Sequence, residues 1–166
     1  MSGLDRLWAG WRGEYVSAGV PPGEGSIFTR ILASGLPDEE TYVVWRGPQT
    51  FAILNRYPYG SGHLLVMPYR EAEDLAELTD DEHVELWSTV RDAVAAVRAA
   101  YSPDGVNVGA NLGSAAGAGV PDHLHVHVLP RWEADSNFMT AVAETRVLPE
   151  SLPVTWQRLR DHWPAS

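Results

Sequence analysis

The segment His123-Leu124-His125-Val126-His127-Val128-Leu129 constrains this chain more than any other. Imidazoles recur at every second position, with aliphatic side chains between them. Successive side chains on a β-strand point to opposite faces, so a strand places all three rings on one side. A helix turns each residue by about 100°, which would scatter the rings. The pattern therefore predicts a strand over His123–Leu129, with Leu124, Val126 and Val128 turned into a core.

A face of three imidazoles has three uses: a polar surface rich in histidine, a metal site, or a nucleophilic centre. Imidazole is a common ligand for zinc, copper and iron. Neighbours on one strand face lie about 7 Å apart, however, so a metal would recruit a ligand from another element. His63 is the one other histidine near a predicted strand. As a nucleophile, one imidazole attacks phosphorus while another donates a proton to the phosphoryl oxygens or the leaving group. Composition favours this third use. The chain has no cysteine, and its twelve Lys+Arg residues are all arginine. That excludes a thiol nucleophile, a disulfide, thiolate-bound zinc, a lysine Schiff base and a lysine-bearing P-loop.

The 166 residues, 45% of them hydrophobic, suit a single domain spanning 1–166, with its core at about 26–132. A net charge of −10 argues against a nucleic-acid track or an anionic membrane surface. A small anion can still be held by backbone amides and a few cations. The acid-rich stretch 71–85 reads as a solvated face. The start of the chain lacks the pattern of a signal peptide, and no apolar run reaches the roughly 18 residues of a membrane span. A soluble, cytoplasmic protein is expected.

Helices are predicted over 4–18, from Leu4, Leu7, Trp8, Trp11 and Tyr15, and over 151–163. One or two helical turns are expected around Ile27, Phe28, Ile31 and Leu32. A long helix over 80–101 opens with a Thr79/Glu82 capping box and carries Val84, Trp87, Val90, Val94, Val97 and Tyr101 as its apolar stripe. Strands are predicted at Tyr42–Arg46, Phe51–Asn55, His63–Met67, Val106–Asn111 and His123–Leu129. Short connections favour an antiparallel sheet, giving an α+β fold.

The H-φ-H-φ-H-φ-φ segment, followed by Pro130-Arg131, resembles the signature of the histidine triad (HIT) nucleotide hydrolases and transferases. Leu7-Trp8-Ala9-Gly10-Trp11-Arg12-Gly13-Glu14-Tyr15 is similar to the family's N-terminal element, and Phe51 through Pro68 to its nucleotide-binding hairpin. The resemblance covers about 4–140 and implies a five-stranded antiparallel sheet in a homodimer. It also implies cleavage of a purine nucleotide phosphoanhydride, such as a dinucleoside polyphosphate, through a nucleotidyl-histidine resolved by water or phosphate. His125 would attack, His127 would contact the phosphate and leaving group, His123 would support the triad, and His63 would stand behind it. Asn55 would bind ribose, and Ile27, Phe28, Phe51 and Leu54 would line the base pocket, although plain core is an equal reading for these apolar residues. Asn111 would lie beside the phosphates, and Trp132 is assigned to the substrate site with them.

Two departures stand out. Ser26-Ile27-Phe28-Thr29 replaces the C-x-x-C of many relatives, and Tyr69-Arg70-Glu71-Ala72-Glu73 supplies no histidine. The structural zinc site of those relatives is therefore expected to be absent. No cofactor is required, and any magnesium would enter with the substrate. Ala118-Gly119-Val120-Pro121 replaces the G-Q-[ST]-φ segment that holds phosphate, leaving that task to backbone amides around Gly119, Asn111 and Ser114. The segment from Asn111 to Gly119, with Pro130-Arg131-Trp132 and Asn137-Phe138-Met139-Thr140, is most similar to the actinobacterial diadenosine tetraphosphate phosphorylase branch. A metal-dependent hydrolase using the histidine face and a catalytically weak nucleotide-binding dimer stay open as alternatives.

Overall fold

The computed structural model describes residues 23–135 and 150–165. The expected N-terminal helix and the segment Asn137–Thr140 lie outside the described residues. Two short helices, α1 (Ile27–Ala33) and α2 (Asp38–Thr41), precede strands β1 (Val43–Arg46), β2 (Thr50–Leu54) and β3 (Leu64–Pro68). The long helix α3 (Asp80–Tyr101), strands β4 (Gly105–Ala110) and β5 (Val126–Arg131), and helix α4 (Leu152–Asp161) follow. All pairings are antiparallel, in the order β1-β2-β3-β5-β4. The last strand is thus inserted beside β3, which brings the histidine segment into the middle of the sheet.

Four of the expected strands move by a residue at one or both ends; the fifth begins at Val126 rather than His123. The register explains this. Val66 pairs with Val126, so continuing the ladder would bring Pro68 opposite Leu124. Proline has no N–H to donate, and the Leu124 N–H bonds instead to the Ala72 carbonyl at 2.6 Å. His123 and His125 therefore precede the strand proper.

Both faces of the sheet are covered. Leu54, Leu64, Val66, Leu124, Val126 and Val128 pack against α3 and Leu159 of α4. Phe51, Ile53, Leu65 and Met67 pack against Ile27 and Phe28 of α1. Helix α3 opens with the expected capping box, the Thr79 hydroxyl accepting from Glu82 N–H and the Glu82 carboxylate accepting from Thr79 N–H. Its buried face overlaps the predicted stripe only in part. Leu86, Val90, Ala93 and Val97 are buried, whereas Val84 is 69% and Trp87 42% exposed. The two rails share Val90 and Val97, and the buried one adds Leu86 and small Ala93.

Two further features position the site. Gly62 has φ +78°, and a Cβ there would meet the Tyr101 ring at 2.8 Å and Pro130 at 3.1 Å. Only glycine fits this turn into His63 without displacing its neighbours. The sheet's edges also differ. At β1, Trp156 Nε1 donates to the Val43 carbonyl at 2.9 Å, and Trp163 stacks on Trp45. At β4, residues Asn107 to Ala110 are exposed on both faces, and no described strand pairs with the outer edge.

Candidate active site

A cavity of about 190 Å³ opens on the face covered by α1. One row across the sheet forms its floor, because directly paired residues point to the same face. Ile53 pairs with Leu65, Leu65 with His127, and His127 with Gly109. Helix α1 supplies Ile27, Phe28 and Ile31 as the apolar wall. Leu54, Asn55, Asn111, Gly119 and His125, each singled out from the sequence, also line the cavity. Ile31, Ile53, Leu65, Arg56 and Tyr59 were not singled out as site residues. Ile31 stands one helical turn after Ile27 and could have been found from that spacing. Ile53 and Leu65 could not, because their alternation reads simply as core.

Three of the expected site residues are not on the cavity wall. Phe51 is fully buried against Tyr69 and does not line the cavity. Trp132 packs edge-on against Tyr101, and exposed Ser114 lies in a short helical turn away from the cavity wall. Arg131, which follows the histidine segment, is engaged by Asp135 and Asn107.

The three triad imidazoles do not form one open face. His123 is fully buried and does not line the cavity. Its Nε2 lies 2.8 Å from the Pro68 carbonyl, an acceptor only, so the proton sits on Nε2. Its Nδ1 then accepts from the Ser26 hydroxyl at 2.7 Å. His125 Nδ1 lies 2.8 Å from the His123 carbonyl and must carry the proton. Nε2 of His125 therefore keeps its lone pair, on a ring that lines the cavity. Burial pushes the pKa of both His123 and His125 below the ordinary histidine value, which keeps them neutral.

His127 has the opposite tautomer. The loop after β2 folds back on His63: Asn55 Oδ1 accepts from Tyr57 N–H at 3.0 Å, and Tyr59 N–H donates to His63 Nδ1 at 3.1 Å. His63 therefore holds its own proton on Nε2, which lies 2.9 Å from His127 Nδ1. His127 accepts there, so its proton sits on Nε2. The Tyr59 ring stacks on His127 at 5.8 Å, and the His125 and His127 rings are 5.1 Å apart. The cavity wall thus carries two neighbouring imidazoles of opposite tautomer, with the His127 Nε2 atom itself buried.

The HIT domain model matches residues 37–134, more than half of the chain. The chain belongs to the HIT domain family. An AP-4-A phosphorylase of Mycobacterium tuberculosis is 41% identical across 96% of this chain and 85% of its own length. The asymmetrical bis(5'-nucleosyl)-tetraphosphatase of Schizosaccharomyces pombe is 37% identical across 56% of this chain and half of its own. Among solved structures, a zinc-bound histidine triad family protein from Mycobacterium smegmatis superposes with a TM-score of 0.68 at 25% identity, covering 83% of this chain and 92% of its own. This HIT-family chain offers zinc a poor donor set at the positions of the relatives' C-x-x-C. Ser26 and Thr29 present hydroxyls, Glu71 accepts from both residues, and both nitrogens of His123 are already bonded. Among the described residues, no group of three His, Cys, Asp or Glu is placed to hold a metal. None of the described helices is long and apolar enough to cross a membrane.

Proposed function

We propose that this protein transfers the adenylyl group of a dinucleoside polyphosphate, of which diadenosine tetraphosphate is the type, to inorganic phosphate through a nucleotidyl-His125 intermediate. The observation that carries this reading is the pair of opposite tautomers on adjacent imidazoles. The His125 Nε2 lone pair attacks the α-phosphorus, and a P–N bond forms as the bridging P–O bond breaks. His127 Nε2–H donates a hydrogen bond to the departing oxygen, so that ATP leaves as the anion and His127 keeps its proton. In the second half, an acceptor oxygen attacks the same phosphorus and the P–N bond breaks, returning the lone pair to His125. Phosphate as acceptor yields ADP, and the 41% identity with a protein named AP-4-A phosphorylase supports phosphate over water.

The apolar wall of Ile27, Phe28 and Ile31 suits a purine base, and Asn55 beside it suits the ribose hydroxyls. Developing charge on the phosphorus meets imidazole N–H and the backbone of the loop around Gly117 and Gly119. The active unit in this reading is a homodimer. The exposed β4 edge, with Val108 at 44% and nearby Leu112 at 38% exposure, offers an antiparallel strand that a second copy can pair with about a two-fold axis.

Product analysis tests the reaction. Incubated with diadenosine tetraphosphate and phosphate, the protein should yield ATP and ADP, whereas ATP and AMP would mark water as acceptor. His125→Ala should abolish turnover and leave AMP binding measurable. Full turnover in that variant would overturn the mechanism.

A further inference from the structure

Ser26, Thr29, Glu71 and the His123 ring form a polar clasp at the start of α1 that the reaction scheme does not use. Ser26 is the N-cap of α1, its hydroxyl accepting from Thr29 N–H at 3.2 Å. The same hydroxyl donates to His123 Nδ1 at 2.7 Å, across 97 residues of sequence. Glu71 closes the clasp from outside, accepting from Ser26 N–H at 2.6 Å and from the Thr29 hydroxyl at 2.5 Å. The Thr29 proton goes to Glu71, so the single Ser26 proton is left for His123.

This places one hydroxyl between two parts of the site. On one side is α1, whose Ile27 and Phe28 line the cavity. On the other is His123, whose carbonyl holds the Nδ1 proton of His125. The Phe28 ring also touches both imidazoles, at 5.5 Å from His123 and 5.6 Å from His125. Rotation of the His123 ring is blocked only while both its nitrogens are satisfied. Loss of the Ser26 donor would leave a buried acceptor unpaired, a penalty the ring can escape by turning and carrying its backbone with it.

We propose that Ser26 is a positioning residue for the nucleophile. It fixes the His123 ring and carbonyl, and through them the tautomer and aim of His125, and it ties that alignment to the helix that packs on the base. The clasp performs with hydrogen bonds, in a cluster that suits zinc poorly, the task of anchoring α1 to the catalytic segment. This inference rests on His125 as nucleophile, and its test has a readout that does not.

The measurement combines steady-state kinetics with ¹⁵N NMR of the histidine rings. In the unaltered protein, His125 should read as the Nδ1–H tautomer and His123 as Nε2–H. Ser26→Ala should lower kcat about tenfold, the size of one lost buried hydrogen bond, with a smaller change in KM. The His125 signals should shift toward a mixture of tautomers. Ser26→Thr, which keeps a hydroxyl, should restore both. If Ser26→Ala does not fold, Glu71→Ala loosens the clasp from its exposed side and should move the same two readouts in the same direction. A folded Ser26→Ala variant with unchanged kcat and an unchanged His125 tautomer would overturn the proposal, as would a kcat loss that Ser26→Thr does not repair. Turnover surviving in His125→Ala would remove the nucleophile reading, while the ring spectra would still judge the Ser26 contact.

Discussion

The His63 Nε2 proton points at His127 Nδ1 across 2.9 Å, and that contact decides which nitrogen of His127 carries its proton. The decision is made one step further out, where the Tyr59 amide can only donate to His63 Nδ1. Backbone geometry in the loop after β2 therefore controls the tautomer of His127. His63→Ala should slow formation of the nucleotidyl enzyme by roughly tenfold or more in single-turnover measurements, with AMP affinity little changed. His127→Ala, which removes the donor itself, should cost more than about a hundredfold.

Acid sensitivity follows from the burial of His125. Burial lowers its pKa, so its neutral, attacking form survives to lower pH than an ordinary imidazole would. The acid limb of the kcat/KM profile should therefore fall below about 6.5, the value for an exposed histidine. Stability moves by the same linkage. The unfolded chain takes up protons at ordinary histidine values before the folded His123 and His125 do. Thermal stability should therefore decline as pH falls below about 6.5 and through the lowered folded values. A second decline belongs to Glu82, whose carboxyl the Arg70 guanidinium pushes down to about 2. Its contribution is present above the ordinary carboxylate range and is lost as pH falls toward that value.

Arg56 is the one arginine on the cavity wall, and among the described residues no acidic side chain pairs with it. Most of the other described arginines are paired. A guanidinium on this cavity wall with no acidic partner among the described residues, in a chain of net charge −10, suits a polyphosphate. Arg56→Ala should raise KM for diadenosine tetraphosphate about fivefold, with kcat unchanged. Added salt should narrow the difference between the two proteins.

The face of α3 can be checked by paired substitutions. Leu86→Ala should cost about 3 kcal/mol in denaturant unfolding, because Leu86 is fully buried. Val84→Ala should cost under about 0.5 kcal/mol, because most of Val84 is exposed.

That contrast shows where sequence reasoning reached and where it stopped. Capping at Thr79 and Glu82 is local, so the start of α3 was readable to the residue. The choice between two overlapping apolar rails depends on how closely the sheet approaches, which local spacing does not encode. Alternation in the histidine segment correctly turned Leu124, Val126 and Val128 inward. It also predicted a common outward face for the three rings, which the proline at the end of β3 prevents by ending the ladder before His125. Asn55, His125 and His127 were legible because their motifs are compact. The Ser26–His123 and His63–His127 contacts were not legible from spacing, since they span 97 and 64 residues and exist only once the sheet is in register.

The unequal edges of the sheet bear on how copies of this chain can assemble. At β1 the Val43 carbonyl is taken by Trp156, and the Trp45–Trp163 stack stands over the strand. At β4 no described strand continues the ladder. A sheet open at both ends can add strands without limit, whereas one guarded on a single side can be extended only once, by another open end. Growth through β4 uses up both free ends in the same event. Any assembly built this way is therefore finite, stopping at a ten-stranded pair with no edge left to recruit a third chain.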